Sequence, residues 1–211
     1  MPGEVDPEHF ASAPFAQFLS DLGAKSPAPG GGAAAGAVGA LGAALGRMVV
    51  SYSEGRKSLA EHHDLLDDAG PRLERARDLF LALAAEDAAA YAALSALQSK
   101  PEDDAERVAN EPGAIEACLA APRATLAAAS DTLRLLEELC GRSNAYLRSD
   151  LAIAGVLAEA AAAAAAWNVR VNLGLVDDAR ANTLADETER SVRAARDARE
   201  RIERACAGSD A

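Results

Sequence analysis

Asp87 is a carboxylate set in an apolar stripe. Phe80, Leu83, Asp87, Tyr91 and Leu94 recur at spacings of three and four, so they share one helix face. An ionised carboxylate is costly to bury without a partner. Asp87 therefore either pairs with a basic group inside a bundle or lines a cavity, where a raised pKa would suit it to proton transfer. A second candidate is the segment Ser26-Pro-Ala-Pro29-Gly30-Gly31-Gly32. Backbone N–H groups at a helix start lack intrahelical partners, and glycines let a ligand approach them closely. The alternative is a tight turn between packed helices. Asn144, Ser149 and Asp150 form a third group, in which Ser149 or Asp150 reads first as the N-cap of a long helix. Asn168 and Asn172 stand four apart on one face, with Arg170 pointing elsewhere. Their amides suit the polar edge of a ring, or a neighbouring helix. Asp150 and Asn168 lie about 27 Å apart along one helix, so they serve opposite ends of a long ligand or different sites. Arg56-Lys57 offers a patch for a carboxylate tail, or a solvated pair at a helix C-terminus.

The elements that position these residues read as helices. Half of the 211 residues are hydrophobic and only 4% are aromatic, with alanine prominent. Alanine loses no side-chain entropy in a helix, so the composition predicts closely packed helices and no sheet. The periodicity places a short amphipathic helix at 10–22 after a loose leader at 1–9, then a helix at 33–53. The latter contains Gly36, Gly39, Gly42 and Gly46 on one face, opposite Val38, Leu41, Leu45 and Val49. Such a helix packs by close backbone approach, at the centre of a bundle or at a dimer interface. Further helices are expected at 57–97 with a break at Gly70-Pro71, and at 112–140 with a break at Pro122. A polar loop with a short helical part is expected at 99–110, a long alanine-rich helix at 150–175, and a charged, peripheral one with a fraying end at 182–207. No period-two strand and no repeat stands out.

The net charge of −12 argues against nucleic acid or an acidic membrane surface as partner. Cys118, Cys140 and Cys206 have no metal-ligand or disulfide spacing, and neither do His9, His62 and His63. The expectation is no metal and reduced thiols, in the cytoplasm. The start has no signal-peptide pattern. The apolar runs 33–50 and 151–167 are interrupted by Arg47 and Glu159 and read as poor membrane spans.

From about 15 to 176 the sequence resembles the cyclodeaminase/cyclohydrolase family of folate enzymes. The resemblance rests on Ser26–Gly32 with the small-residue helix and Gly55-Arg56-Lys57. It continues with Asp87 and Ala90-Tyr91, Asn144 with Ser149-Asp150, and Asn168-Val-Arg170-Val-Asn172. There are departures. Ala33 stands where the family commonly has serine, and Leu97-Gln-Ser-Lys100-Pro stands where it often has Leu-Pro-Lys.

The resemblance implies a single all-α domain over 1–211: an elongated bundle of long helices. It further implies a homodimer formed through a small-residue helix face, with a folate groove near the interface. No formiminotransferase domain is expected in a chain of this length. The expected reaction is hydrolysis of 5,10-methenyltetrahydrofolate to 10-formyltetrahydrofolate, without metal or organic cofactor. Asp87 and then Asp150 are the catalytic candidates. The substrate would be bound by Ser26, Pro29, Gly30, Gly31, Gly32, Arg56, Lys57, Tyr91, Asn144, Ser149, Asn168, Arg170 and Asn172. The alternatives are formiminotetrahydrofolate cyclodeaminase, which expels ammonia, and a helical folate-binding protein without catalysis. A partner-binding bundle with no folate link is the remaining reading.

Overall fold

A computed structural model describes residues 14–26 and 28–208; the expected leader at 1–9 lies outside them. The described residues form helices and connections, with no strand. The helices are α1 (Phe15–Leu22), α2 (Gly31–Ser51), α3 (His63–Gln98), α4 (Ala105–Glu138), α5 (Arg148–Asn172) and α6 (Asp178–Ala207). Short 3-10 turns at Lys57–His62, Ala145–Leu147 and Leu173–Leu175 join some of them.

Helix α2 sits between α3 and α5, and α4 closes the core from the far side. Its glycines do this work. A Cβ on Gly39 would fall 2.6 Å from the Phe80 ring, one on Gly46 2.7 Å from Leu136, and one on Gly42 3.1 Å from the Ala154 carbonyl. The glycine face is thus filled by the chain itself. A dimer formed through that face, as the sequence suggested, has no room.

Gly32, Gly39 and Gly46 are seven residues apart. They face Asp87, Phe80 and Leu73 on α3, also seven apart and in reverse order. The two helices therefore run antiparallel, and one register seats all three side chains.

Helices α4 and α6 run parallel. Glu116 pairs with Arg180, Arg123 with Glu187, and Glu137 with Arg201, each pair 64 residues apart. The constant offset fixes their register.

Several expectations fail for identifiable reasons. Pro71 does not break α3. The carbonyl it frees, that of Asp67, lies at an exposed position, open to solvent rather than buried without a partner. Pro122 does not break α4 either, although it is buried. The Cys118 carbonyl that loses its partner accepts a bond from Asn172 Nδ2 at 2.8 Å instead. The short helical part expected within 99–110 is not separate: it begins at Ala105 and runs on as α4. Asp104 caps α4, accepting from the Glu106 and Arg107 N–H groups at 3.0 and 3.1 Å. Neither Ser149 nor Asp150 caps α5; both lie inside its first turn. Asn144 instead caps the preceding 3-10 turn, accepting from the Tyr146 N–H at 3.2 Å.

Helix α6 is not peripheral or frayed. Val192, Ala195, Ala198, Ile202 and Cys206 join the main core, a stripe the charged residues had masked. Finally, the segments Gly31–Ser51, Lys57–Gln98 and Ala145–Leu175 are long and apolar enough to cross a membrane, by length and composition. The sequence reading had set such spans aside. Alanine is frequent in all three, and in this fold the segments pack against one another and against α4.

Candidate active site

The first turn of α2 is where most of the expected chemistry converges. Gly30 holds the N-cap position in extended backbone, and Ala34 donates to its carbonyl at 3.0 Å. No side chain caps this end. The N–H groups of Gly31, Gly32 and Ala33 are therefore free of intrahelical partners, and the helix dipole makes the place electropositive. Ser26 bends the approach by donating to the Ala28 carbonyl at 2.8 Å, and Pro29 follows in a cis peptide.

Asp87 meets this turn from α3. A Cβ on Gly32 would stand 1.8 Å from Asp87 Oδ2 and 2.2 Å from its Cγ, so only glycine lets the carboxylate lie there. Asn168 meets it from α5, with Oδ1 3.4 Å from where a Gly31 Cβ would be. Asp87 is half-buried, and among the described residues no hydrogen bond or ion pair reaches it. Burial pushes its pKa above the ordinary carboxylate value. The ion-pair alternative of the sequence reading is therefore not what the fold contains.

Cys118 was not foreseen. Its buried thiol is pushed up first by desolvation and then by the charge of Asp87, which places it within electrostatic reach. Asn172 holds the same stretch of α4 through the Cys118 carbonyl. The available signal was Pro122, which stands four residues after Cys118 and so frees that carbonyl. Tyr91 lies one turn beyond Asp87 and is half exposed. Arg170 turns away, paired with Glu189 at 3.2 Å and stacked 5.2 Å from the Trp167 ring centre. Lys100 is bound to Glu106.

The remaining candidates sit at the other end. Helix α2 has 21 residues and is about 30 Å long. Arg56 and Lys57 follow its C-terminus and are exposed. Asn144 ties the start of α5 to the same place: its N–H donates to Ser53 Oγ at 2.8 Å and its Nδ2 to the Tyr52 carbonyl at 3.3 Å. Ser149 and Asp150 follow within two turns. Within one chain, then, Arg56, Lys57, Asn144, Ser149 and Asp150 do not share a site with Asp87. Asn144 is occupied as a structural tie.

Among the described residues no cluster of His, Cys, Asp and Glu could hold a metal ion. The Asp87 site offers one proton-transfer group, unpaired backbone donors and an amide. That set suits attack of water on an electrophilic carbon, or protonation of a leaving amine.

Similar proteins point the same way. A family model described as formiminotransferase-cyclodeaminase matches residues 14–191. The formimidoyltransferase-cyclodeaminase of Gallus gallus is 29% identical over 174 residues, 81% of this chain and 32% of that protein. The methenyltetrahydrofolate cyclohydrolase of Methylorubrum extorquens is 32% identical over 165 residues, 76% of this chain and 79% of that one. The chain thus spans about a third of the length of the chicken protein. The crystal structure of formiminotetrahydrofolate cyclodeaminase from Thermotoga maritima superposes with a TM-score of 0.84 at 22% identity, covering 94% of this chain and 98% of the other. At that identity it shows the shared helical fold. The chain belongs to the formiminotransferase-cyclodeaminase family, and its relatives are folate one-carbon enzymes of the cyclohydrolase or cyclodeaminase kind.

Proposed function

We propose that this protein hydrolyses 5,10-methenyltetrahydrofolate to 10-formyltetrahydrofolate, with Asp87 as the proton-transfer group. The observation that carries the reading is a half-buried carboxylate without a protein partner, seated on Gly32 at the open end of a helix. The substrate carries a cationic amidinium carbon. Asp87 stabilises that cation and takes a proton as water adds to the carbon. The carbon–N5 bond then breaks with its electron pair going to N5, which takes up a proton. One proton is released overall, and the formyl group stays on N10. The backbone donors of Gly31 and Gly32 and the amide of Asn168 orient the ring or the water. The likeness to the bacterial cyclohydrolase over most of both chains supports this reaction.

A second reading is the cyclodeaminase, which closes the formimino group and expels ammonia. The raised pKa of Asp87 favours it, because a carboxyl that keeps its proton can give it to the leaving amine. Stopped-flow absorbance separates the two. Faster loss of the near-ultraviolet band of the methenyl substrate, abolished in Asp87→Asn, is the expected result. Appearance of the same band from the formimino substrate, with no effect on the methenyl one, would replace the first reading by the second. Inertness towards both would leave a folate-binding protein.

A further inference from the structure

The parallel register of α4 and α6 brings two thiols together at the end of the bundle away from Gly32. Glu137 and Arg201 pair through two bonds of 2.5 and 3.0 Å. Cys140 and Cys206 follow three and five residues further on; Cys206 belongs to the main core, and Cys140 packs against that core. The two thiols lie close enough for each to shift the other's titration, while the Cys140 Sγ–H donates to the Leu136 carbonyl at 3.6 Å. Cys206 in turn lines a groove of about 580 Å3, together with Tyr146, Arg148, Ser149 and Glu203.

We propose that Cys140 and Cys206 are a dithiol site for oxidation by a peroxide, closing a disulfide between the turn that follows α4 and the last turn of α6. The two cysteines have different parts. The neighbouring Cys140 thiol and then the Arg148 charge hold the Cys206 pKa below the ordinary thiol value, against the opposing effect of burial; Arg148 stands beside Cys206 in the lining of the groove. Cys140 is held well above the ordinary thiol value by its Cys206 neighbour and by burial. Cys206 is therefore the attacking thiolate and Cys140 the resolving thiol. The Cys206 sulfur bonds to one peroxide oxygen, the O–O bond breaks, and hydroxide leaves. The product is a sulfenic acid. Cys140 then gives up its proton, its sulfur bonds to the Cys206 sulfur, the S–O bond breaks, and water leaves. Two thiols are oxidised, one peroxide is reduced to two waters, and an added thiol reductant reverses the step. This inference does not depend on the folate reading.

The whole protein, treated with hydrogen peroxide and then alkylated, provides the test. The expected result is loss of two mass units before alkylation, with tryptic peptide 135–142 joined to 205–211 and one free thiol left, on buried Cys118. Cys140→Ser should stop at a sulfenic acid on Cys206 that a dimedone probe traps. Cys206→Ser should show no oxidation at position 140 at the same peroxide dose. Three alkylatable thiols after peroxide, a cross-link involving Cys118, or a disulfide between chains would each overturn the proposal.

Discussion

In the folded chain the Asp87 carboxyl holds its proton to higher pH than in the unfolded chain, because burial penalises the anion. Protonation therefore stabilises the fold. That contribution is complete below the ordinary carboxylate value of 3.8 and is lost as pH rises through the raised one. At neutral pH the charge is a net cost. Asp87→Asn is expected to melt at a higher temperature than the parent at pH 7, with the difference shrinking as the pH falls towards 4, while turnover disappears. A mutant that melts lower at pH 7 would mean that Asp87 has a stabilising partner and would remove the argument for its role. Gly32→Ala tests the same residue from the opposite side. The added Cβ meets only the end of a flexible side chain, so the fold should survive while Asp87 is displaced and turnover falls. Gly31→Ala, with Asn168 Oδ1 at 3.4 Å, should leave both intact.

The register that seats Asp87 is a property of α2 and α3 as elements. Gly32, Gly39 and Gly46 stand at intervals of seven, and their partners on α3 repeat at the same interval. That period was present in the sequence, where the glycine face of α2 and the Phe80–Asp87 stripe of α3 were both legible. Their mutual alignment was not, because neither helix alone says which turn of the other it meets. Gly36 shows how little tolerance the alignment has. Its added Cβ would lie 2.6 Å from the Phe80 carbonyl oxygen, which is backbone and cannot swing away. Gly36→Ala should cost about 1–3 kcal/mol in denaturant unfolding, unlike Gly31→Ala.

The breaks expected at Pro71 and Pro122 were misplaced for a related reason. Local propensity counts the lost N–H but cannot see what replaces it. At Pro122 the replacement is Asn172, 54 residues away in sequence from the carbonyl it serves. Truncating Asn172 to alanine should cost about 1–3 kcal/mol, the usual range for a buried carbonyl left unpaired. In a Pro122→Ala background the new N–H takes over, so the same truncation should cost clearly less. A double-mutant cycle measures that coupling. Additive costs would show that Asn172 acts elsewhere.

At the scale of the molecule, the glycine face is spent inside the chain, so a second copy needs another surface. Helix α5 provides one. Ile153, Val156, Trp167 and Val171 lie along its outer side, and they are 49%, 40%, 69% and 75% exposed. Ala160 and Ala164 continue the same stripe, which makes it apolar over most of the helix and narrow at its centre. Such a stripe permits close approach of two copies of α5 across a two-fold axis. The prediction is that the homodimer expected from the sequence, if it forms, uses this face. A dimer would also bear on the site, since Arg56, Lys57 and Asp150 lie about 30 Å from Gly32 along one chain and a second chain is the means of bringing them nearer. Trp167 is the protein's one tryptophan, which makes it the reporter. Light scattering should give twice the chain mass, and the tryptophan emission should lie to the blue and move to the red on dilution. Trp167→Glu should halve the mass while leaving the far-ultraviolet circular dichroism unchanged. A monomeric mass with red-shifted emission at every concentration would refute this interface; a dimeric mass with the same red-shifted emission would move it to the groove between α1, α2 and α3, where Phe15 and Leu41 are also exposed.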